Sequence, residues 1–278
     1  MPELPEVEAE RRRLEPAMRG ASITRVLLRR KDLRRPFPPG FASRIEGRRV
    51  RAVERRGKYL LVRLSSGDTL LMHLGMSGSF HIARAKSGRD APGKHDHVIF
   101  ELSNGAVVTF NDPRRFGVMD LIGPPRAASR GADGGDRGLE ALGPEPLAAA
   151  FDAAALAAAC AGKRAALKVT LLDQRTVAGL GNIYTSEALH RAGLSPRRRS
   201  STIATAGGRP RTSAARLTAA IKATLNDAIA RRERAYRGGR FRVYERDGEP
   251  CRRRGCGGTI RRITQAGRST FYCPRCQL

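Results

Sequence analysis

Near the start of the chain, Leu4, Val7, Leu14 and Met18 fall close to one helical face, while Glu8, Glu10, Arg12 and Arg13 lie elsewhere. That spacing predicts a helix over residues 3–18. The period then shortens. Apolar runs predict strands over Ile23–Leu28, Val50–Arg56, Tyr59–Leu64, Thr69–Leu74, His97–Leu102 and Ala106–Phe110. Ser65-Ser66-Gly67-Asp68 and Ser103-Asn104-Gly105 supply hairpin turns between them. Several short strands with one amphipathic helix predict a β-sandwich or barrel closed by that helix. Helical spacing returns over 147–162, 164–172, 182–192 and 212–233, and short strands surround the cysteines of 241–278. Ala148–Ala161 reads as a well-formed helix, with Phe151 and Leu156 for packing.

The expected class is therefore α+β. A β-sandwich domain over 1–123 leads into a linker rich in Gly, Pro, Ala and Asp over 124–146. A helical domain follows over 147–240, then a cysteine hairpin over 241–278. With 278 residues of which 40% are hydrophobic, the chain can bury real cores, which excludes a disordered basic tail. No run is long and apolar enough to span a bilayer, and the N-terminus has no apolar signal core. The expected setting is cytoplasmic, and the expected state is a monomer.

Charge narrows the partner. Lys and Arg number 53 against 26 Asp and Glu, a formal charge of +27. A compact chain so charged repels itself unless a polyanion neutralises it, and nucleic acid gains affinity by counterion release. Cysteine usage agrees. Cys251-x4-Cys256 and Cys273-x2-Cys276 offer four thiolates on two facing turns, the donor set of one structural Zn²⁺. The fifth cysteine, Cys160, reads as a small core residue. Gly179-Leu180-Gly181-Asn182 joins two helical stretches through a tight turn. There, N–H groups at a helix start can approach a phosphate, with Asn182 as cap and added donor.

Five segments converge on one family. They are Met1-Pro2-Glu3-Leu4-Pro5-Glu6-Val7-Glu8, His73-Leu74-Gly75-Met76-Ser77-Gly78, Asp112-Pro113-Arg114-Arg115-Phe116-Gly117, Gly179-Leu180-Gly181-Asn182-Ile183-Tyr184, and Ala266-Gly267-Arg268-Ser269-Thr270-Phe271-Tyr272-Cys273-Pro274. In this order, nearly end to end, the chain resembles the bacterial formamidopyrimidine-DNA glycosylases, bifunctional base-excision repair enzymes for oxidised purines. The resemblance implies a helix-two-turn-helix domain and a zinc-finger hairpin acting on damaged double-stranded DNA. It implies that Pro2, freed by removal of Met1, attacks the sugar C1′ as a secondary amine. Glu3 then acts as general acid/base, while Lys58 assists the first (β) elimination and Arg268 the second (δ). His95, Arg114, Lys163 and Asn182 match DNA-contacting positions. Met76 and Phe116 match side chains that fill and wedge the space left by an everted nucleotide.

Two departures set further expectations. The family usually has Cys-x2-Cys in the first knuckle, so the Cys251-x4-Cys256 turn must take another shape. The family also carries a longer loop over the flipped purine where this chain has Arg234–Arg242. Intact chemistry with weaker handling of 8-oxoguanine is the expected consequence. Two alternatives stand beside this reading: an endonuclease VIII-type glycosylase for oxidised pyrimidines, and a non-catalytic zinc-finger DNA-binding protein.

Overall fold

The computed structural model describes residues 2–84, 91–123, 138–232 and 241–278. They form two compact units, one of Pro2 with Glu6–Glu140 and one of Glu3–Pro5 with Ala141–Leu278.

The first unit is a sandwich of two four-stranded antiparallel sheets. One has strands β1 (Ile23–Leu28), β6 (Asp96–Leu102), β7 (Ala106–Asn111) and β5 (Ser79–Arg84) in the order β1-β6-β7-β5. The other has β2 (Val50–Arg56), β3 (Tyr59–Leu64), β4 (Thr69–His73) and β8 (Val118–Ile122) in chain order. Inward residues of both sheets, among them Val53, Leu60, Val62, Met72, Val98, Phe100, Val108 and Phe110, merge into a single cluster. Helix α1 (Leu4–Met18) adds Val7, Leu14 and Met18 to it. A short helix α2 (Phe41–Ile45), absent from the sequence reading, adds Phe41 and Ile45. The two strands that periodicity missed, β5 and β8, are both sheet edges. Each buries one face only, through Phe80 in β5 and through Met119 and Leu121 in β8.

In the second unit, helices α3 (Ala153–Cys160), α4 (Leu167–Leu172), α5 (Asn182–Ala192) and α6 (Thr212–Arg232) enclose their own core. A 3-10 turn lies at Ser200–Ile203, and hairpin β9 (Arg261–Gln265) with β10 (Arg268–Tyr272) ends the fold. Alanine propensity overreached here. The helix expected over 147–162 begins only at Ala153, because Asp152 is extended and caps it, accepting a hydrogen bond from Ala155 N at 2.8 Å. The helix expected from 164 likewise starts at Leu167, since Ala166 bridges to Arg199 in extended form. Most of the expected linker, residues 124–137, lies outside the described residues, whereas Gly143 and Pro144 bond into the turn at Gln174–Ala178. No described helix is long and apolar enough to cross a membrane.

Candidate active site and metal centre

Glu3 is 2% exposed and sits on the N-terminus of α5. Its Oε1 accepts from Ile183 N at 2.9 Å and its Oε2 from Tyr184 N at 3.2 Å. A helix start presents unpaired N–H groups and a positive dipole end, so a carboxylate is favoured there. The glycines of the preceding turn make the approach possible. A Cβ on Gly181 would lie 2.3 Å from Glu3 Cδ, and one on Gly179 would lie 2.6 Å from Leu4 Cδ1. Gln174 steadies the turn, accepting from Gly179 N and donating to Leu180 O. This corrects the expectation of Asn182 as a cap over a phosphate-binding helix start. Gly181 is the cap residue, and Glu3 takes the helix donors.

The Asn182 side chain works sideways instead. It accepts from Lys168 Nζ at 2.6 Å and donates to Ser269 O at 2.9 Å. Lys168 is fully buried and also donates to Ser269 O and to Thr270 Oγ1 at 2.6 Å, pinning the start of β10 to α4 and α5. Burial, followed by the charge of Arg268, pushes the Lys168 ammonium down to about 8, with Glu3 acting in the opposite sense. Arg268 itself is exposed at the head of β10, next to a turn whose Ala266 and Gly267 both have positive φ. Lys163, also exposed, donates to Thr176 Oγ1 at 3.3 Å. Glu187 on α5 accepts three backbone N–H groups, from Arg242, Val243 and Tyr244, and so fixes where the terminal module begins. Sequence reading missed Lys168 and Glu187. The signal for Lys168 was a lone cation inside the apolar run Ala165–Leu172.

In the first unit, Lys58 is buried at the two-residue turn between β2 and β3, after Gly57 with φ +57°. Arg55 holds the turn, donating from Nη1 to Gly57 O at 3.0 Å, and Arg55 is in turn paired with Glu8 at 3.1 Å. Arg11 and Arg12 also bond Glu8. Burial pushes the Glu8 carboxyl up, but the hydrogen bonds from Arg11, Arg12 and Arg55 outweigh it and leave it below the usual range. Stabilisation from such a group is present at neutral pH and is lost as pH falls through the lowered value. Glu8→Gln is therefore expected to cost about 1–3 kcal/mol at pH 7. Urea unfolding of both proteins from neutral to acid pH should show that difference shrinking toward zero.

Four more expected residues gather around Asp112, which is fully buried. Its carboxylate accepts from Ser77 Oγ at 2.6 Å and from Gly117 N at 2.7 Å, while its backbone N donates to His95 O. Ser77 Oγ also accepts from Arg114 N, and the Arg114 guanidinium lies 5.0 Å from the centre of the Phe116 ring. Gly75 lets the two loops meet, since a Cβ there would lie 2.2 Å from the Phe116 backbone. His73 Nδ1 accepts from Gly75 N at 3.0 Å. Burial, then Lys58 and Arg34, push His73 down to about 4, so it remains a neutral acceptor at physiological pH. The result is a rigid platform from which Met76 (39% exposed) and Phe116 (40%) project.

The four thiols of Cys251, Cys256, Cys273 and Cys276 converge, with all Sγ atoms within 4.8 Å of one another. Tetrahedral zinc at about 2.3 Å per sulfur requires sulfurs about 3.8 Å apart. Cys256–Cys273 at 3.6 Å and Cys251–Cys276 at 3.8 Å meet that demand. The longer first knuckle closes through left-handed Gly255 and Gly257, and Gly258 passes so near Cys273 that a Cβ would lie 2.9 Å from its sulfur. One structural zinc per chain fits these ligands. Treatment with a chelator is expected to remove it, loosen β9–β10 and misplace Arg268. On abasic DNA, δ-elimination products should then fall before β-elimination products; unchanged products with metal absent by elemental analysis would contradict this.

Comparisons agree across the chain. The family described as "Formamidopyrimidine-DNA glycosylase N-terminal domain" matches residues 1–119, the "Formamidopyrimidine-DNA glycosylase H2TH domain" matches 142–237, and the "Zinc finger found in FPG and IleRS" matches 248–278. The formamidopyrimidine-DNA glycosylases of a Bradyrhizobium species and of Afipia carboxidovorans are 53% and 52% identical, each alignment covering 100% of both chains. Each alignment runs over 299 positions against 278 residues here, so these relatives carry residues this chain lacks. Among solved structures, the MutM (Fpg) protein of Thermus thermophilus is 36% identical with a TM-score of 0.78, covering 99% of this chain and 98% of that one. A Lactococcus lactis enzyme bound to DNA with an abasic site is 29% identical with a TM-score of 0.80, covering 99% of each. The chain belongs to the formamidopyrimidine-DNA glycosylase family.

Proposed function

We infer that this chain is a base-excision repair DNA glycosylase for oxidised purines that also cleaves the resulting abasic site. The observation carrying this furthest is Glu3, a carboxylate seated on the α5 N-terminus and joined directly to Pro2. In the proposed reaction the Pro2 nitrogen attacks C1′ and the base departs, with the Glu3 carboxylate taking the proton that the Pro2 amine loses and passing it to the ring oxygen of the opening sugar. The iminium that remains acidifies the 2′ hydrogen. Its loss expels the 3′ phosphate, and a second elimination expels the 5′ phosphate. Lys58 and Arg268 are the proposed helpers of these two steps. His95, Arg114, Lys163 and Asn182 are proposed to contact the DNA backbone. Met76 and Phe116 are, with Leu278, the large apolar side chains most exposed among the described residues. Projecting from one platform, they suit the plug that must offset lost stacking when a nucleotide leaves the helix. We place the enzyme in the cytoplasm as a monomer, where thiols stay reduced for zinc.

Lesion preference follows from the short segment Arg234–Arg242, of which 234–240 lie outside the described residues. Chemistry at C1′ is indifferent to the base, whereas recognition needs contacts to it. Single-turnover cleavage at one salt concentration should be fast on abasic and formamidopyrimidine duplexes and slower on 8-oxoguanine opposite cytosine. Equal rates for the two lesions would show that recognition resides elsewhere in the pocket. Faster cleavage of oxidised pyrimidines than of either purine lesion would overturn the substrate class.

A further inference from the structure

We propose that His190 is a positioning residue of the zinc site. Its Nε2–H donates to the thiolates of Cys251 and Cys276 and, together with Arg253, ties the first knuckle to the C-terminal turn of α5.

His190 projects from the last turn of α5 and is 1% exposed. Its Nε2 lies 3.3 Å from Cys251 Sγ and 3.8 Å from Cys276 Sγ. Its Nδ1 is buried with no hydrogen-bond partner among the described residues, so no acceptor there holds a proton. The tautomer that fits carries its hydrogen on Nε2, facing the sulfurs. The ring is not a fifth ligand, because the four sulfurs already complete a tetrahedron and Nε2 is outside the set that converges. Four thiolates around a dication leave excess negative charge on sulfur, and N–H donors spread it and hold the ligands in place. Arg253 N also approaches Cys251 Sγ, at 3.5 Å.

The same knuckle answers in the other direction. The Arg253 guanidinium donates to the carbonyls of His190 and Arg191 in the last turn of α5, where the His190 carbonyl also accepts from Gly193 N. Arg253 sits in the middle of the lengthened Cys251-x4-Cys256 turn, so that turn adds side-chain donors to a helix end already capped by left-handed Gly193. The helix thus carries Glu3 at its N-terminus and the metal knuckle at its C-terminus, about 16 Å apart.

The test compares zinc release to a chromogenic chelator from the intact, DNA-free protein. His190→Phe, which keeps the ring and removes the donor, is expected to release zinc about ten- to a hundredfold faster, and His190→Gln, which retains an N–H, to recover part of that loss. In cobalt-substituted protein the thiolate-to-metal absorption bands should shift in His190→Phe. Release within twofold of the parent, with unshifted bands, would overturn the proposal. Should the phenylalanine variant fail to fold, the parent protein decides. NMR of histidine-labelled, cadmium-loaded enzyme should show the ring proton on Nε2 and coupled to the metal, and a proton on Nδ1 instead would refute the assignment.

Discussion

A chain that carries an extra residue on the amino side of Pro2 is expected to lose cleavage at abasic sites by about a thousandfold or more. The added residue turns the Pro2 nitrogen into an amide, whose lone pair is delocalised and cannot form an iminium with C1′. Pro2→Gly is a milder change because it leaves a free, though primary, amine at the terminus, yet it should still lose most of the covalent intermediate. Mass spectrometry of the active protein should find Met1 removed. DNA binding measured in parallel should change little in both variants, since the charge of +27 that drives it is untouched. A chain retaining Met1 at full activity would place the nucleophile elsewhere.

Glu3→Gln is expected to slow base removal by about a hundred- to ten-thousandfold. The loss has two sources. Gln cannot give up a proton to the opening sugar. It also cannot satisfy Ile183 N and Tyr184 N together, because one of its two terminal atoms is a donor facing a donor. Cleavage of a preformed abasic site should suffer less, because it bypasses the glycosylic step. The check is a pair of single-turnover rates on the same duplex, one with the lesion base and one with the base already removed. Equal losses in the two would assign Glu3 to holding α5 rather than to proton transfer.

What could be read from the chain follows from how local each signal is. Central β3 buries four of its six residues and, like the edge strands β1 and β2, runs between the residues that apolar spacing marks. The edge strands β5 and β8 left only one or two inward side chains each. The cysteine cluster was legible because ligand spacing is itself local. By contrast, the bonds from Ile183 and Tyr184 to Glu3 join residues 180 and 181 positions apart, and no periodicity encodes them. The same holds for Lys168, whose partners Ser269 and Thr270 belong to the terminal hairpin, and for Glu8, whose partner Arg55 shapes the turn of Lys58. Asn182 is not the helix cap that its residue type suggests. Asn favours helix starts, but here a carboxylate distant in sequence claims the helix donors first.

Trapping with sodium borohydride on a duplex containing a single abasic site tests the central claim most directly. Borohydride reduces a protein–DNA iminium to a stable amine, so an enzyme that works through Pro2 becomes covalently joined to the DNA. The account predicts one adduct per chain, and digestion should map the DNA to the N-terminal peptide at Pro2. No adduct under conditions where the strand is cleaved, or an adduct mapped to a lysine such as Lys58 or Lys168, would contradict it.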